Sequence, residues 1–184
     1  MNHASWGQDA PSEIFPLWML RSLPNMAACH VGIAVDARGP NNTITTEETS
    51  SLGALIEAAM VIQRNQADVM IVGASGCRTN VTRLLQRHEK FFSKCDSVDE
   101  ACRPFDARRQ GTVGGEGSAV IVIESRQHAE ARGAEVLARL AGWGSRFAKP
   151  ESPLNASSKS VTGSISQSLS HSDLSIPRLY QCQC

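Results

Sequence analysis

Apolar residues in this chain gather in short dense runs, and polar turns separate the runs. Asn42 to Thr46 is rich in Thr and Ile and predicts a short strand. From Thr49 or Ser50 to about Arg64, the residues Leu52, Ala54, Leu55, Ile56, Ala58, Ala59, Met60, Val61 and Ile62 leave almost no polar face. A helix that is apolar nearly all round is normally buried. Val69 to Ala74 and Ser118 to Ile123 are continuous apolar runs, the pattern of strands covered on both faces. Asn25 to Val35 predicts a helix of small and apolar residues, and Ser12 to Leu23 a shorter one with Pro16 early in it. Val81 to Phe92 is moderately helical. Ser125 to Gly133 predicts a helix with Ser125 as N-cap and Gly133 as its stop. Val136 to Trp143 predicts a further strand. Alternating strands and helices imply an α/β fold.

The pattern fades at both ends. Residues 1–22 form a polar, partly ordered N-terminal segment, and residues 23–150 form the domain. Residues 151–184 hold ten serines and thinly spread apolar residues with no visible period, so a disordered tail is expected. Lys and Arg number 18 against 18 Asp and Glu, which gives no electrostatic reason to expect nucleic acid or a membrane surface as partner. No run of about 18 apolar residues exists. The six cysteines (Cys29, Cys77, Cys95, Cys102, Cys182, Cys184) form no CxxC pair, which argues against zinc. With no export signal, they read as free thiols of a cytoplasmic protein.

Chemistry concentrates where the predicted strand feeds the predicted buried helix. Free backbone N–H groups and the positive end of the helix dipole converge at such a corner, a common seat for a nucleophile or an anion. Glu47 and Glu48 occupy it. Thr45-Thr46-Glu47-Glu48 also fits the S/T-x-x-E capping box, with Thr45 as cap and Glu48 reaching back. A structural cap and a functional carboxylate both remain open. The glycines at 111, 114, 115 and 117 lack the Lys-Ser/Thr of a phosphate loop and read as a turn. His30 and His128 have no metal-like partner at i+4 and read as packing or surface residues. Asp106 and Arg109 are expected to pair beside the turn at Arg103-Pro104.

In this order the elements resemble the β-ketoacyl-acyl-carrier-protein synthases, condensing enzymes of the thiolase-like fold. The matching pieces are Leu23 to Ala28 with His30, Gly39-Pro40-Asn41, Ala67-Asp68-Val69-Met70 with Val72-Gly73, and Arg103-Pro104-Phe105-Asp106 with Arg109 and Gly111. Gly115-Glu116-Gly117, Val120 to Glu124, His128-Ala129 and Ala131 to Ala134 complete the set. Each piece is weak alone, and their order and spacing carry the resemblance. It implies a partial thiolase-like fold, with a mixed sheet covered by helices.

The resemblance further implies acyl transfer and decarboxylative condensation in fatty acid or polyketide biosynthesis, with acyl carrier protein as partner and no cofactor. Such an enzyme needs a thiolate to take the acyl chain, and two histidines to steady the decarboxylation. Counted without gaps from Gly39-Pro40-Asn41, the family's cysteine falls on Glu48, its preceding small residue on Glu47, and a glycine of the turn on Ser51. The match stops before the segment that carries the catalytic histidines, and His171 lies in no matching motif. The chain is therefore expected to be incompetent for condensation alone. It could instead be a non-catalytic subunit paired with an active synthase. Either a homodimer or that heterodimer would form through about Asn42 to Thr46, the family's dimer strand. Decarboxylation is disfavoured, because a negative side chain at position 48 would repel malonyl's carboxylate.

Overall fold

The computed structural model describes residues 15, 17, 20, 23–77, 92–147 and 158–172. The chain forms two compact units, Met1–Ser75 with Ser118–Ala131, and Gly76–Gly117 with Arg132–Cys184. The helices expected over Ser12 to Leu23 and Val81 to Phe92 lie largely outside the described residues.

The first unit holds two helices whose ends follow from backbone chemistry. Helix α1 spans Met26–Ala34 and helix α2 spans Ser50–Gln63. Both end in the same device. Asp36 and Asn65 turn left-handed, with φ of 53° and 55°. Beyond α1 the Asp36 and Ala37 N–H groups bond the carbonyls of Ile33 and Gly32. Beyond α2 the Asn65 and Gln66 N–H groups bond Ile62 and Val61. These paired bonds satisfy carbonyls that the helix itself leaves open. Only Ala58, Ala59 and Val61 of α2 are buried, and Leu52 is 64% exposed. The expectation of a helix buried all round therefore fails, and its buried residues gather in the C-terminal half. Burial on every side needs neighbours on every side, and apolar composition does not supply them.

Asn42 to Thr46 is not a strand, contrary to expectation. Side chains take its backbone donors. The Thr43 N–H bonds Asn42 Oδ1 at 2.8 Å, and the Thr46 N–H bonds Ser50 Oγ at 2.8 Å. Such local bonds compete directly with a sheet ladder. Two glycines let the segment lie against the helices instead. Asn41 Nδ2 donates to the Ala28 carbonyl at 3.3 Å, where a Cβ on Gly32 would crowd it. Ile44 lies so close to Gly53 that a Cβ there would stand 3.1 Å from Ile44 Cγ2.

Strands β1 (Val69–Gly76) and β2 (Gly117–Glu124) form a two-stranded sheet. Val72 is buried at 8%, whereas Val120 is 61% exposed and Val122 60%. The expected cover on both faces is therefore absent from β2 among the described residues. Helix α4 (Arg126–Ala131) follows a short corner. Ser125 caps it as expected, with Oγ accepting from the His128 N–H at 3.2 Å. The Ser125 N–H ties the corner to the Asp68 carbonyl just before β1, at 3.1 Å. Gly133, with φ of 65°, ends it.

In the second unit a short helix α3 (Val98–Ala101) is held by Arg103, whose guanidinium bonds the Glu100 carbonyl and carboxylate and reaches Cys95 Sγ. Phe92 and Thr112 form an isolated parallel bridge. Val136 to Trp143 is not a strand. Leu137 is 91% exposed there, and no strand pairs with the segment among the described residues.

The serine-rich segment departs from the expected disorder over Ser158–Ser170, which is helix α5. Glycines 142 and 144 approach the backbone carbonyls of Ser168 and Ser164 so closely that neither position could hold a Cβ. The Ser145 N–H donates to Gln167 Oε1 at 3.2 Å. His171 Nδ1 lies 2.9 Å from the Trp143 carbonyl, which can only accept, so Nδ1 carries the hydrogen. The two rings also meet, with centroids 5.7 Å apart.

Two predictions test this packing. Thr43 Oγ1 is buried without a hydrogen bond, so Thr43→Val is expected to raise stability by about 1 kcal/mol, read as a higher midpoint in denaturant. Gly144→Val is expected to detach α5 at a cost of about 1–3 kcal/mol, read as faster amide exchange across residues 159–170.

Candidate functional site

The corner that leads into α2 is built from four consecutive polar residues and a serine. Thr46 stands before a 3-10 turn, Glu47–Thr49, that runs directly into the helix. Glu47 adopts φ of 54°, a left-handed conformation unusual for a residue with a Cβ. Hydroxyls hold it there. Ser50 Oγ donates to the Glu47 carbonyl at 2.6 Å while accepting the Thr46 N–H at 2.8 Å. Thr49 Oγ1 donates to the Thr46 carbonyl at 2.8 Å and meets Thr46 Oγ1 at 3.1 Å.

The residue directly before the 3-10 turn is Thr46, and it makes no side-chain cap bond. Its N–H is met by Ser50 Oγ. The exposed side chains of Glu47 and Glu48 stand at the positive end of the α2 dipole. A carboxylate there can accept hydrogen bonds or hold a proton. It cannot form a thioester.

The remaining candidates resolve into local structure. Asp106 pairs with Arg108 rather than with Arg109. Its Oδ1 accepts the Arg108 N–H at 2.7 Å, and its Oδ2 lies 3.1 Å from Nη2. Arg109 bonds the Asp106 carbonyl instead, at 3.1 Å. The Arg108 guanidinium, helped by the Arg108 backbone N–H, lowers the Asp106 pKa below the ordinary 3.8. His30 is exposed. Cys77 Sγ lies 3.3 Å from Glu116 Oε1. Among the described residues no group of His, Cys, Asp or Glu could hold a metal ion, and none of the four described cysteines is in a disulfide. No helix is long and apolar enough to cross a membrane among those residues.

One pair went unread in the sequence. His128 Nδ1 meets Glu124 Oε2 at 2.6 Å, and the Glu124 side chain is only 13% exposed. The i, i+4 spacing was the available signal. It was hidden because Glu124 ends a strand and His128 lies inside a helix.

Comparison with known proteins gives the class first. The fold matches ketosynthases. A beta-ketoacyl synthase from Burkholderia phymatum STM815 superposes with a TM-score of 0.75 over 93% of this chain and 43% of that one, at 24% identity. The ketosynthase of a type II PKS, solved with its acyl-carrier protein, superposes with a TM-score of 0.80. That match covers 91% of this chain and 42% of the other, at 27% identity. The family follows. The model for "Beta-ketoacyl synthase, N-terminal domain" matches residues 2–129, and the chain belongs to the β-ketoacyl synthase family. The 3-oxoacyl-[acyl-carrier-protein] synthase 2 of Staphylococcus aureus is 34% identical over 145 residues, 77% of this chain and 36% of that protein. The protein of the same description from Rhizobium meliloti is 34% identical over 137 residues, 73% of this chain and 32% of its own length. The chain thus spans about a third of the length of these curated relatives.

The Asp106 pairing carries a pH prediction. A folded-state pKa below the unfolded value means that the pairing contributes above pH 3.8 and is lost as pH falls through the folded value. In an NMR titration the Asp106 carboxyl is expected to have its midpoint below 3.8, and Arg108→Ala is expected to return it toward that value.

Proposed function

We propose that the chain serves fatty acid or polyketide assembly, with acyl-carrier thioesters as its substrate class, and does not by itself condense them. One observation carries this reading. Within a chain 34% identical to a 3-oxoacyl-[acyl-carrier-protein] synthase, the position that counts to the family's cysteine holds Glu48. Thioester formation needs a nucleophile that keeps the acyl carbon until malonyl-carrier arrives. A carboxylate would form a mixed anhydride, which water opens quickly. Acyl carrier protein is the proposed partner, supported by the ketosynthase neighbour solved with its own carrier. The proposed compartment is the cytoplasm, where such carriers work. Residues 23–150 are the proposed working domain.

A second reading makes the chain a non-catalytic subunit in a heterodimer with an active synthase. The exposed apolar residues of β2 favour it, since Val120, Ile121 and Val122 are half or more exposed. Asn42 to Thr46 offers no edge strand for this pairing. Co-purification with a full-length synthase is expected under this reading, and a stable, monodisperse monomer would count against it.

The test of the first reading is direct. Incubated with acyl-carrier and malonyl-carrier, the chain is expected to yield no β-ketoacyl product by mass spectrometry. A product above the no-protein control would refute the assigned inactivity.

A further inference from the structure

Strand periodicity divides the side chains of β1 and β2 between two faces of their sheet. The Ser125 N–H bonds the Asp68 carbonyl, and a Cβ on Gly73 would stand 3.4 Å from Val120 Cγ2. These contacts run in opposite directions along the two strands, so the strands are antiparallel. They also put Val120 on the Gly73 side of the sheet. Val69, Ile71 and Val122 share that side by their even spacing. All four aliphatic side chains are at least 39% exposed. On the other side Val72 is buried, Met70 and Ile123 are half-buried, and Ile121 alone of the large side chains is exposed. The sheet thus has one face largely covered and one face open. We propose, resting on the reading of the chain as one subunit of a heterodimer, that the open face docks one amphipathic helix of the partner synthase.

Charge, size and length choose the occupant. The open face carries one charged side chain, Glu124, which is 13% exposed and already bonded to His128. Its occupant is therefore apolar where the two meet. Two strands about 4.8 Å apart make a strip about 10 Å wide, the width of one helix. Each strand has eight residues. At about 3.4 Å per residue the strip is about 27 Å long, which a helix of about 18 residues would span. A strip of about 270 Å² is far below the ~800 Å² that each partner gives to a standard interface. It is too small to hold a free peptide, or a second copy laid face to face. It suits one part of a wider contact with a folded subunit. Length points to that subunit. Two solved ketosynthases build this fold from more than twice as many residues, since this chain covers 42% and 43% of them. Strands that are apolar on both faces are normally covered by helices on both. A synthase polypeptide is the source of helix that fits the bare side.

The probe is the purified 3-oxoacyl-[acyl-carrier-protein] synthase 2 of Staphylococcus aureus, mixed with the full chain and followed by sedimentation velocity. A complex is expected. Val120→Thr/Val122→Thr is expected to weaken it at least about tenfold, because two hydroxyls then enter an apolar contact. Threonine keeps the branched shape and the strand preference, so the chain alone is expected to keep its denaturant midpoint. Ile121→Thr, on the other face, is expected to leave the affinity within about twofold. With p-benzoylphenylalanine at positions 69, 71, 120 and 122, photo-crosslinks are expected on partner residues three or four apart, the spacing of one helix face. An unchanged affinity after Val120→Thr/Val122→Thr would overturn the docking face and leave the heterodimer reading standing. No complex at all would overturn both. Crosslinks on every second partner residue would mean a strand and overturn the helix. Self-crosslinking of the chain at these positions would give the face to a second copy. A lowered midpoint for the Val120→Thr/Val122→Thr chain alone would give it to a segment of the same chain. Either result would overturn the proposal.

Discussion

A single serine hydroxyl closes the corner on which the rest depends. By accepting from Thr46 and donating to Glu47, Ser50 joins an extended segment to the first turn of α2. A left-handed non-glycine residue costs on the order of 1–3 kcal/mol. A hydrogen bond contributes about 0.5–1.5 kcal/mol net, so the bonds of Ser50 and Thr49 together are of the size needed to offset it. The corner is therefore stable because its own side chains satisfy the backbone. The carboxylates of Glu47 and Glu48 are what it presents.

Elements set by local pattern were legible in the sequence. Helices α1, α2 and α4 and strands β1 and β2 fall where their runs predicted, since apolar runs, and for α4 a serine cap and a glycine stop, are local signals. The β-ketoacyl synthase family was legible too, from the order of short motifs. What failed depends on side-chain bonds that propensity does not weigh, or on partners distant in the chain. Thr and Ile in 42–46 favour a strand, yet the Asn42 and Ser50 side chains take the donors a ladder would need. Val136 to Trp143 has strand composition but no strand beside it among the described residues. Helix α5 was missed because close backbone approach at Gly142 and Gly144 docks it, which its polar, serine-rich composition does not record. Val161, Ile165 and Leu169, spaced four apart, were the one available hint.

Burial shows the same division between what composition requests and what the fold supplies. Composition marks β1, β2 and α2 for cover on all sides. The described elements bury Val72, Ala129, Ala58, Ala59 and Val61, while Val120, Val122 and Leu52 stay largely in solvent. Exposed aliphatic side chains forgo roughly 1.5–3 kcal/mol each relative to full burial. That deficit makes a covering partner favourable.

The candidate site was legible as a position but not as a geometry. Counting from Gly39-Pro40-Asn41 reached Glu48, while nothing in the letters revealed the left-handed turn at Glu47. The most direct measurement of the central claim is the intact mass of the unaltered chain after exposure to an acyl-carrier thioester, followed by peptide mapping. The account predicts no acyl mass on the peptide containing residues 47 and 48. A stable acyl adduct within that peptide would contradict it.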